Sequence, residues 1–517
     1  RWQRRMSFRN ERTLYLRKCD LTGKSMVSMH PAGTPFPVYS ITEWLSDKWE
    51  PLDYGRDFDF NRPFAEQFKE MCDQIPHFSL FVDPHMDVNS DYTNCSNSAK
   101  NCYLISQAEL NEDCYYSRGI NRSKDCSDCL RIHQCELCYE CTSLTSCYHC
   151  MYSQECENSS DCYFSSDLKS CQNCFGCHDL VQKQYYWFNQ PLGKEAWEKK
   201  MSEFSFSREN IEWAKQESQK LKLSLPRRAV HTTQCENSTG DHILQCKNSH
   251  LVFDSLYLDD CAYCYEVFNG AKKAYDYSMW GVGAEFIYEC NGCGFNVNNL
   301  LFSNHCWQNV SNLIYCESCY PSVKDCFGCF GLKRKQYCIF NKQYTKEEYE
   351  ALVPRIIEHM QKTGEWGEFF PSSISAYGYN ESLAASFFPL SKEEVLKRGW
   401  NWYDKEESSS QYIGPTVEIP NSIQGVDDSI CSQILKCEKT GKLYKIIPQE
   451  LKLYRTLGVP LPTLCPEERH QERMLARNPR HLWERSCQNC QKSVQSSYSP
   501  DRPEKVFCEE CYLKTVY

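Results

Sequence analysis

No run of about eighteen apolar residues occurs in this 517-residue chain, so nothing in it reads as a membrane-spanning helix. The opening segment RWQRRMSFRN has no apolar stretch of the secretion-signal kind. Excess positive charge is also missing, the formal net charge being −10. Between residues 99 and 182, six Lys/Arg face twelve Asp/Glu, and such a surface is a poor partner for phosphate backbones. Only the first thirty residues run the other way. Arg1, Arg4, Arg5, Arg9, Arg12, Arg17, Lys18 and Lys24 form a basic arm that a nucleic acid could contact. Catalytic templates are absent: no HExxH, GxSxG or GxGxxG stands in a suitable context. Gly23-Lys24-Ser25 and Thr440-Gly441-Lys442 lack the earlier glycine of a phosphate loop, its place being taken by Lys18 and Lys436. The chain therefore reads as non-enzymatic.

Cysteine, by contrast, is plentiful, with 36 residues. Seven of them, Cys102, Cys114, Cys126, Cys138, Cys150, Cys162 and Cys174, stand twelve residues apart. The residue that follows is usually aromatic or apolar: Tyr103, Tyr115, Tyr139, Met151, Tyr163 and Phe175. A period sustained this long means one unit stacked on its own copies. The twelve-residue unit has almost no Pro or Gly, which suits short strands joined by tight corners. The expected fold is mainly β with helical caps: two Cys-laddered parallel β-solenoid lobes plus treble-clef and zinc-ribbon modules. One coil could take twelve residues, as in the insect antifreeze β-helices that this spacing resembles, or twenty-four.

The segment that ends the repeat recurs. At a constant offset of 152, Cys174, Cys177, Gln184, Tyr185, Phe188, Asn189, Lys194 and Glu195 match Cys326, Cys329, Gln336, Tyr337, Phe340, Asn341, Lys346 and Glu347. Residues 232–343 are thus a second lobe duplicating 99–190, with a Gly-rich break around Trp280–Gly283. Residues 191–231 and 344–411 read as a helical cap and a helical cap with linker (Asp404–Gln411), the capping boxes being Thr345–Glu348 and Ser391–Glu394. Residues 51–98 form a linker and entry segment, in which Asp53, Asp57 and Asp59 are interleaved with aromatics as in a packed loop.

Three modules bracket the lobes. Residues 479–517 carry Cys487, Cys490, Cys508 and Cys511 as two CxxC knuckles, the pattern of one closed structural zinc site. Shifting this ribbon by 468 residues places Cys19, Thr22, Ser40 and Glu43 at its ligand positions, so residues 1–50 read as a degenerate copy without zinc. Residues 430–478 contain CEKTGKLYKIIPQELKLYRTLGVPLPTLCPEER from Cys437 to Arg469. This resembles treble-clef zinc modules in Gly441, Lys442, Tyr444, Glu450, Tyr454, Gly458, Pro460, Pro462, Cys465 and Arg469. Its ligand places read Cys437, Thr440, Cys465 and Glu468, with His470 nearby as a substitute, at most a weak metal site. The whole chain resembles an uncharacterised group of cysteine-rich multi-ribbon proteins of small-genome uncultured bacteria, a likeness that implies an architecture and no activity.

The repeat thiols have three readings: packing of a small buried side chain, metal binding (zinc, copper(I) or iron–sulfur), or a disulfide ladder. A zinc ribbon in the same chain favours a reducing, cytoplasmic setting. The expected role is a modular zinc-binding scaffold for a macromolecular partner, a protein in the first instance. The alternative is a thiol-rich metal-storage or redox protein, and a third reading is nucleic-acid binding through the basic arm. Composition points to neither a membrane partner nor a particular oligomeric state.

Overall fold

A computed structural model describes residues 1–267, 283–284, 287, 289–294, 297–404 and 417–516. Apart from Gly283 and Asp404, the glycine-rich break and the acidic linker lie outside these residues. The chain forms two units, each built from two stretches: Arg1–Leu80 with Val230–Asp404, and Phe81–Ala229 with Lys405–Tyr517. Parallel strand pairs dominate the repeat region of each unit, and eleven α-helices accompany them among the described residues. None of these helices is long and apolar enough to cross a membrane.

In the second unit, strands Asn94–Lys100, Ser106–Glu112, Arg118–Asn121, Leu130–His133 and Thr142–Thr145 pair in parallel in chain order. The partners are twelve residues apart, as in Ile120↔Ile132 and Leu130↔Thr142. The chain therefore returns beside itself after twelve residues, not twenty-four. Bridges Tyr103↔Tyr115, Tyr139↔Met151 and Met151↔Tyr163 place the residues that follow the cysteines in one ladder.

Within each twelve lies a period of three. From Ser96 to Cys177 every third residue is buried, and from Cys95 to Gln182 the residue before each of these positions has positive φ. Those φ values run from 47° to 57° at the non-glycines. A left-handed residue every third position turns the chain four times per repeat. L-residues resist that conformation by about 1–2 kcal/mol each, asparagine and aspartate least of all. Asn101, Asp113, Asp125, Asp128, Asn158, Asp161, Asp167, Asn173 and Asp179 occupy such corners, but so do the less suited Leu104, Leu110 and Leu137.

The inward residues are small and carry a γ heteroatom. Cys129 shows the pattern. Its N–H donates to Ser117 Oγ at 2.9 Å, and its thiol lies 3.4 and 3.5 Å from the carbonyls of Ser127 and Cys138. The N–H of Cys141 in turn reaches the Cys129 sulfur. Ser153 does the same with its hydroxyl, 3.1 Å from the carbonyls of Met151 and Cys162, while accepting from Ser165 N–H at 3.3 Å. Cysteine and serine thus share one role, that of pairing inward-pointing amides while lying against carbonyls that already accept a backbone N–H. Ile120, Ile132, Leu144 and Leu168 fill the remaining inner column.

Both repeats end alike. Tyr186 and Trp187 pair antiparallel with Pro191 and Gln190, and Cys338 and Ile339 pair with Gln343 and Lys342, a set of residues 152 apart. Each two-residue loop (Phe188-Asn189, Phe340-Asn341) has two positive φ values, as a tight hairpin turn requires. The side chain of Asn189 bridges the backbone of His178 at 2.9 Å both ways, and Asn341 bridges Phe330 in the same manner. Helices Lys194–Glu203 and Lys346–Lys362 follow, the latter opened by the Thr345–Glu348 capping box. This reversal covers the exposed parallel edge. In the repeat of the first unit the pairing offset varies: eleven at Thr232↔Ile243, twelve at Gly240↔Val252 and thirteen at Leu300↔Leu313.

A buried ionic knot fixes the 430–478 module to the repeat of its unit. Arg473 Nη1 lies 3.0 Å from Asp128 Oδ1, and Arg469 also pairs with Asp128. Glu450 accepts from Tyr116 OH at 2.9 Å and from Tyr454 OH at 2.5 Å. Glu450, Tyr454 and Arg469, three of the treble-clef-like positions, therefore face the repeat rather than a ligand site.

Two substitutions test these backbone roles. Cys129→Ser, which keeps the γ donor and acceptor, shifts stability by less than about 1 kcal/mol in urea melts. Cys129→Val, which leaves the inward amide of Cys141 unpaired, costs about 1–3 kcal/mol. At the solvent-exposed corner Leu110 (φ 55°), replacement by Gly raises stability by about 0.5–1 kcal/mol, since strain relief exceeds the added chain entropy. A lower melting temperature for Leu110→Gly would contradict the corner assignment.

Candidate metal centre

The C-terminal module is a hairpin, Trp483–Ser486 with Ser493–Ser496, followed by strand Lys505–Phe507 and helix Glu509–Val516. Strand Lys505–Phe507 pairs in parallel with Pro226–Arg228 of the same unit. Arg227 forms ion pairs with Asp167 at 2.7 Å and with Asp179, and Tyr512 OH donates to Asp179 at 2.7 Å. These contacts hold the module on the repeat.

The tight turn after the first hairpin strand bends the chain back on itself. Gln491 N–H donates to Cys487 O at 2.8 Å, Cys487 N–H to Lys492 O at 2.8 Å, and Gln491 takes φ 64°. The turn aims Cys487 and Cys490 at Cys508 and Cys511, which lie at the start of the last helix. All four sulfurs lie within 4.8 Å of one another, with Cys490 Sγ 3.7 Å from Cys508 Sγ. Cys490 is exposed and the other three are buried. Burial pushes the Cys487 thiol up, but amides of Cys508, Cys490 and Asn489 outweigh it and hold the group down at about 6. The Asn489 side chain lowers the Cys511 thiol, but the sulfurs of Cys508, Cys490 and Cys487 together with burial push it up to about 12, so the first thiolate of the group sits at Cys487. The group can hold a metal ion.

The N-terminal hairpin repeats this geometry at an offset of 468. Tyr15↔Ser28 and Lys18↔Ser25 correspond to Trp483↔Ser496 and Ser486↔Ser493. Gly23 N–H donates to Cys19 O and Cys19 N–H to Lys24 O, both at 2.8 Å. Gly23 supplies the left-handed turn residue (φ 70°), so Gly23-Lys24-Ser25 belongs to this turn and not to a phosphate loop. Ser40 N–H donates to the Cys19 sulfur at 3.4 Å, and Ser40 Oγ caps helix Ile41–Leu45 by accepting from Glu43 N–H. Burial raises the Cys19 thiol, but the Thr22 hydroxyl and the amides of Ser40, Thr22 and Leu21 together lower it. Hydrogen-bond donors surround this sulfur where the C-terminal copy has three more thiols.

The middle module has the same turn, with Gly441 N–H to Cys437 O at 2.8 Å and Cys437 N–H to Lys442 O at 2.9 Å. Burial raises the Cys437 thiol, and the Thr440 hydroxyl with the amides of Cys465, Thr440 and Lys439 brings it down to about 7. Cys465 hydrogen-bonds with Cys437, while Glu468 pairs with Lys439 at 2.9 Å. Among the described residues, His470 joins no ligand group with Cys437 and Cys465.

The repeat cysteines from Cys102 to Cys174 are free, buried thiols, each with its sulfur near backbone carbonyls. One disulfide occurs among the described residues, Cys290–Cys293. The acidic run is dispersed: Asp57 accepts from Lys342 at 2.6 Å and Tyr344 at 3.0 Å, and Asp59 caps Asn61. A second ligand group, His231, Asp241 and His242, forms without any recognisable sequence motif. Its one signal is the eleven-residue His–His spacing, which equals the local pairing offset.

No protein-family model and no curated protein matches this chain.

Metal removal distinguishes the two hairpins. With a chelator at neutral pH, exchange protection of the Cys487 and Gln488 amides falls at least tenfold, while that of Cys19 and Asp20 stays unchanged. Equal behaviour of both pairs in hydrogen-exchange mass spectrometry would contradict metal dependence at the C-terminal site.

Proposed function

We propose that this protein is a non-enzymatic modular scaffold that presents its surfaces to a partner protein. In this reading the two repeats are Cys-laddered β-solenoids with helical caps. Ribbon and treble-clef modules sit beside them, and one ribbon carries structural zinc. The observation that carries the proposal is the closed set Cys487, Cys490, Cys508 and Cys511. Tetrahedral zinc with bonds of roughly 2.3 Å to sulfur sets thiolates roughly 3.8 Å apart. The Cys490–Cys508 separation of 3.7 Å agrees with that edge. Four thiolates complete the shell and leave no position for a substrate, so zinc here holds a fold.

The use of the repeat thiols supports the same reading. A metal store needs sulfurs that can leave their hydrogen bonds and gather around ions. These sulfurs share one role with serine, as at Cys129 and Ser153, and serine is no soft-metal ligand. The basic arm offers little to nucleic acid. Arg4 pairs with Glu289 and Glu368 at 3.1 and 2.6 Å, Arg9 with Glu11 at 2.6 Å, and Arg17 with Asp20 at 2.7 Å. Charges neutralised in place release no counterions from a phosphate backbone.

Elemental mass spectrometry with cobalt substitution tests the proposal on the full chain. The expected result is one thiolate-bound metal per chain, zinc as purified, with the repeat thiols titrating freely after denaturation. Several thiolate-bound metals, or iron–sulfur or copper–thiolate absorption, would establish a thiol-based store instead.

A further inference from the structure

The first unit carries a cluster that the scaffold reading does not use. His231 and His242 occupy the same place in successive repeats, because Thr232 pairs with Ile243. Their rings stack 4.5 Å apart and 9° from parallel. Both turn a nitrogen to one carboxylate: His231 Nδ1 is 3.2 Å from Asp241 Oδ1, and His242 Nε2 is 3.7 Å from Asp241 Oδ2. The carboxylate is fixed from behind, since Oδ1 also accepts the backbone N–H groups of His231 at 2.6 Å and His242 at 3.0 Å. Asp241 is 3% exposed, His231 24% and His242 18%, so a buried anionic floor lies beneath two solvent-edged imidazoles.

From this geometry we infer a divalent-cation site made of His231, Asp241 and His242, separate from the four-cysteine centre. One ligand atom from each residue lies within 4.8 Å of the others. Zinc–nitrogen bonds of roughly 2.0–2.1 Å and zinc–oxygen bonds of roughly 2.0–2.2 Å put tetrahedral ligands roughly 3.4 Å apart, between the two contacts observed. Two imidazoles and a carboxylate are borderline ligands that suit zinc and its first-row neighbours better than calcium or magnesium. The charges also fit, since a neutral histidine pair with one carboxylate carries −1. Three protein ligands leave a fourth position facing solvent, where water or a donor atom from a ligand can bind. The inference stands apart from the scaffold reading, because it involves no thiol.

The test adds Zn²⁺ alone to the 517-residue chain whose four-cysteine site is already filled, and follows binding by calorimetry. Wild type should take up one further zinc per chain. His242→Gln and His231→Gln should each weaken that event at least tenfold while keeping the near-ultraviolet circular dichroism of the parent. With Co²⁺, the added event should bring d–d bands without new thiolate charge transfer. No zinc uptake beyond the filled centre, or unchanged uptake in both glutamine variants, would overturn the site. New thiolate bands would do the same and point to the repeat cysteines. Asp241→Asn extends the series, but the two histidine variants decide the outcome because Asp241 also holds the backbone.

Discussion

The architecture depends on where the backbone of the repeats points. With a left-handed residue every third position, the carbonyls of inward residues accept backbone N–H groups of the preceding repeat. Inward amides such as those of Cys129 and Cys141, however, face the interior, where water cannot pair them. An unpaired buried amide or carbonyl costs about 1–3 kcal/mol. Repeated through the stack, that penalty would exceed the stability of a domain. The γ heteroatom of cysteine or serine removes it, because one small side chain accepts from the amide of the next repeat and lies against two carbonyls. The column of cysteines is thus first a solution to backbone hydrogen bonding. Sulfur adds apolar volume that oxygen lacks, which fits its prevalence at these fully buried positions.

The three hairpin turns share one backbone geometry whether or not their cysteines gather into a ligand group. Around Cys19 and Cys437 the place that Cys490 takes in the C-terminal turn is held by a threonine, Thr22 or Thr440, whose hydroxyl bonds the sulfur. The turn hydrogen bonds are equal in all three copies to within about 0.1 Å, at 2.8–2.9 Å. Backbone geometry and packing therefore hold these two modules. The 430–478 module gains further support from the Asp128–Arg469–Arg473 knot, in which Arg469, one of the treble-clef-like positions, serves docking.

Much of this was legible in the sequence, and the reasons differ by element. The period of twelve shows in the chain because each Cys102-type position meets the same surroundings in every repeat. The 152-residue duplication survives in Asn189 and Asn341 because a two-residue turn with two positive φ values favours asparagine, whose side chain also seals the edge. The four-cysteine site was legible from two CxxC pairs, since ligand spacing follows from knuckle geometry. The three-residue period was harder to see. Its corners tolerate leucine, tyrosine and arginine as well as aspartate, so no composition rule marks them. The His231–Asp241–His242 cluster was hidden for a related reason: its members meet through an eleven-residue offset, one short of the regular repeat.

The sequence by itself showed the twelve-residue cysteine spacing, the 152-residue offset and the two CxxC pairs at the C-terminus. All of these are local patterns, repeated or closely spaced along the chain. The return of the chain after twelve residues, not twenty-four, came from the strand pairing. Tertiary structure alone decided which stretches share a unit, residues 1–80 with 230–404 and 81–229 with 405–517. It also decided what the repeat thiols do. A cysteine's sequence position says that it is buried. Whether its sulfur meets another sulfur, a metal or a backbone carbonyl depends on the direction in which the neighbouring repeat turns its amides.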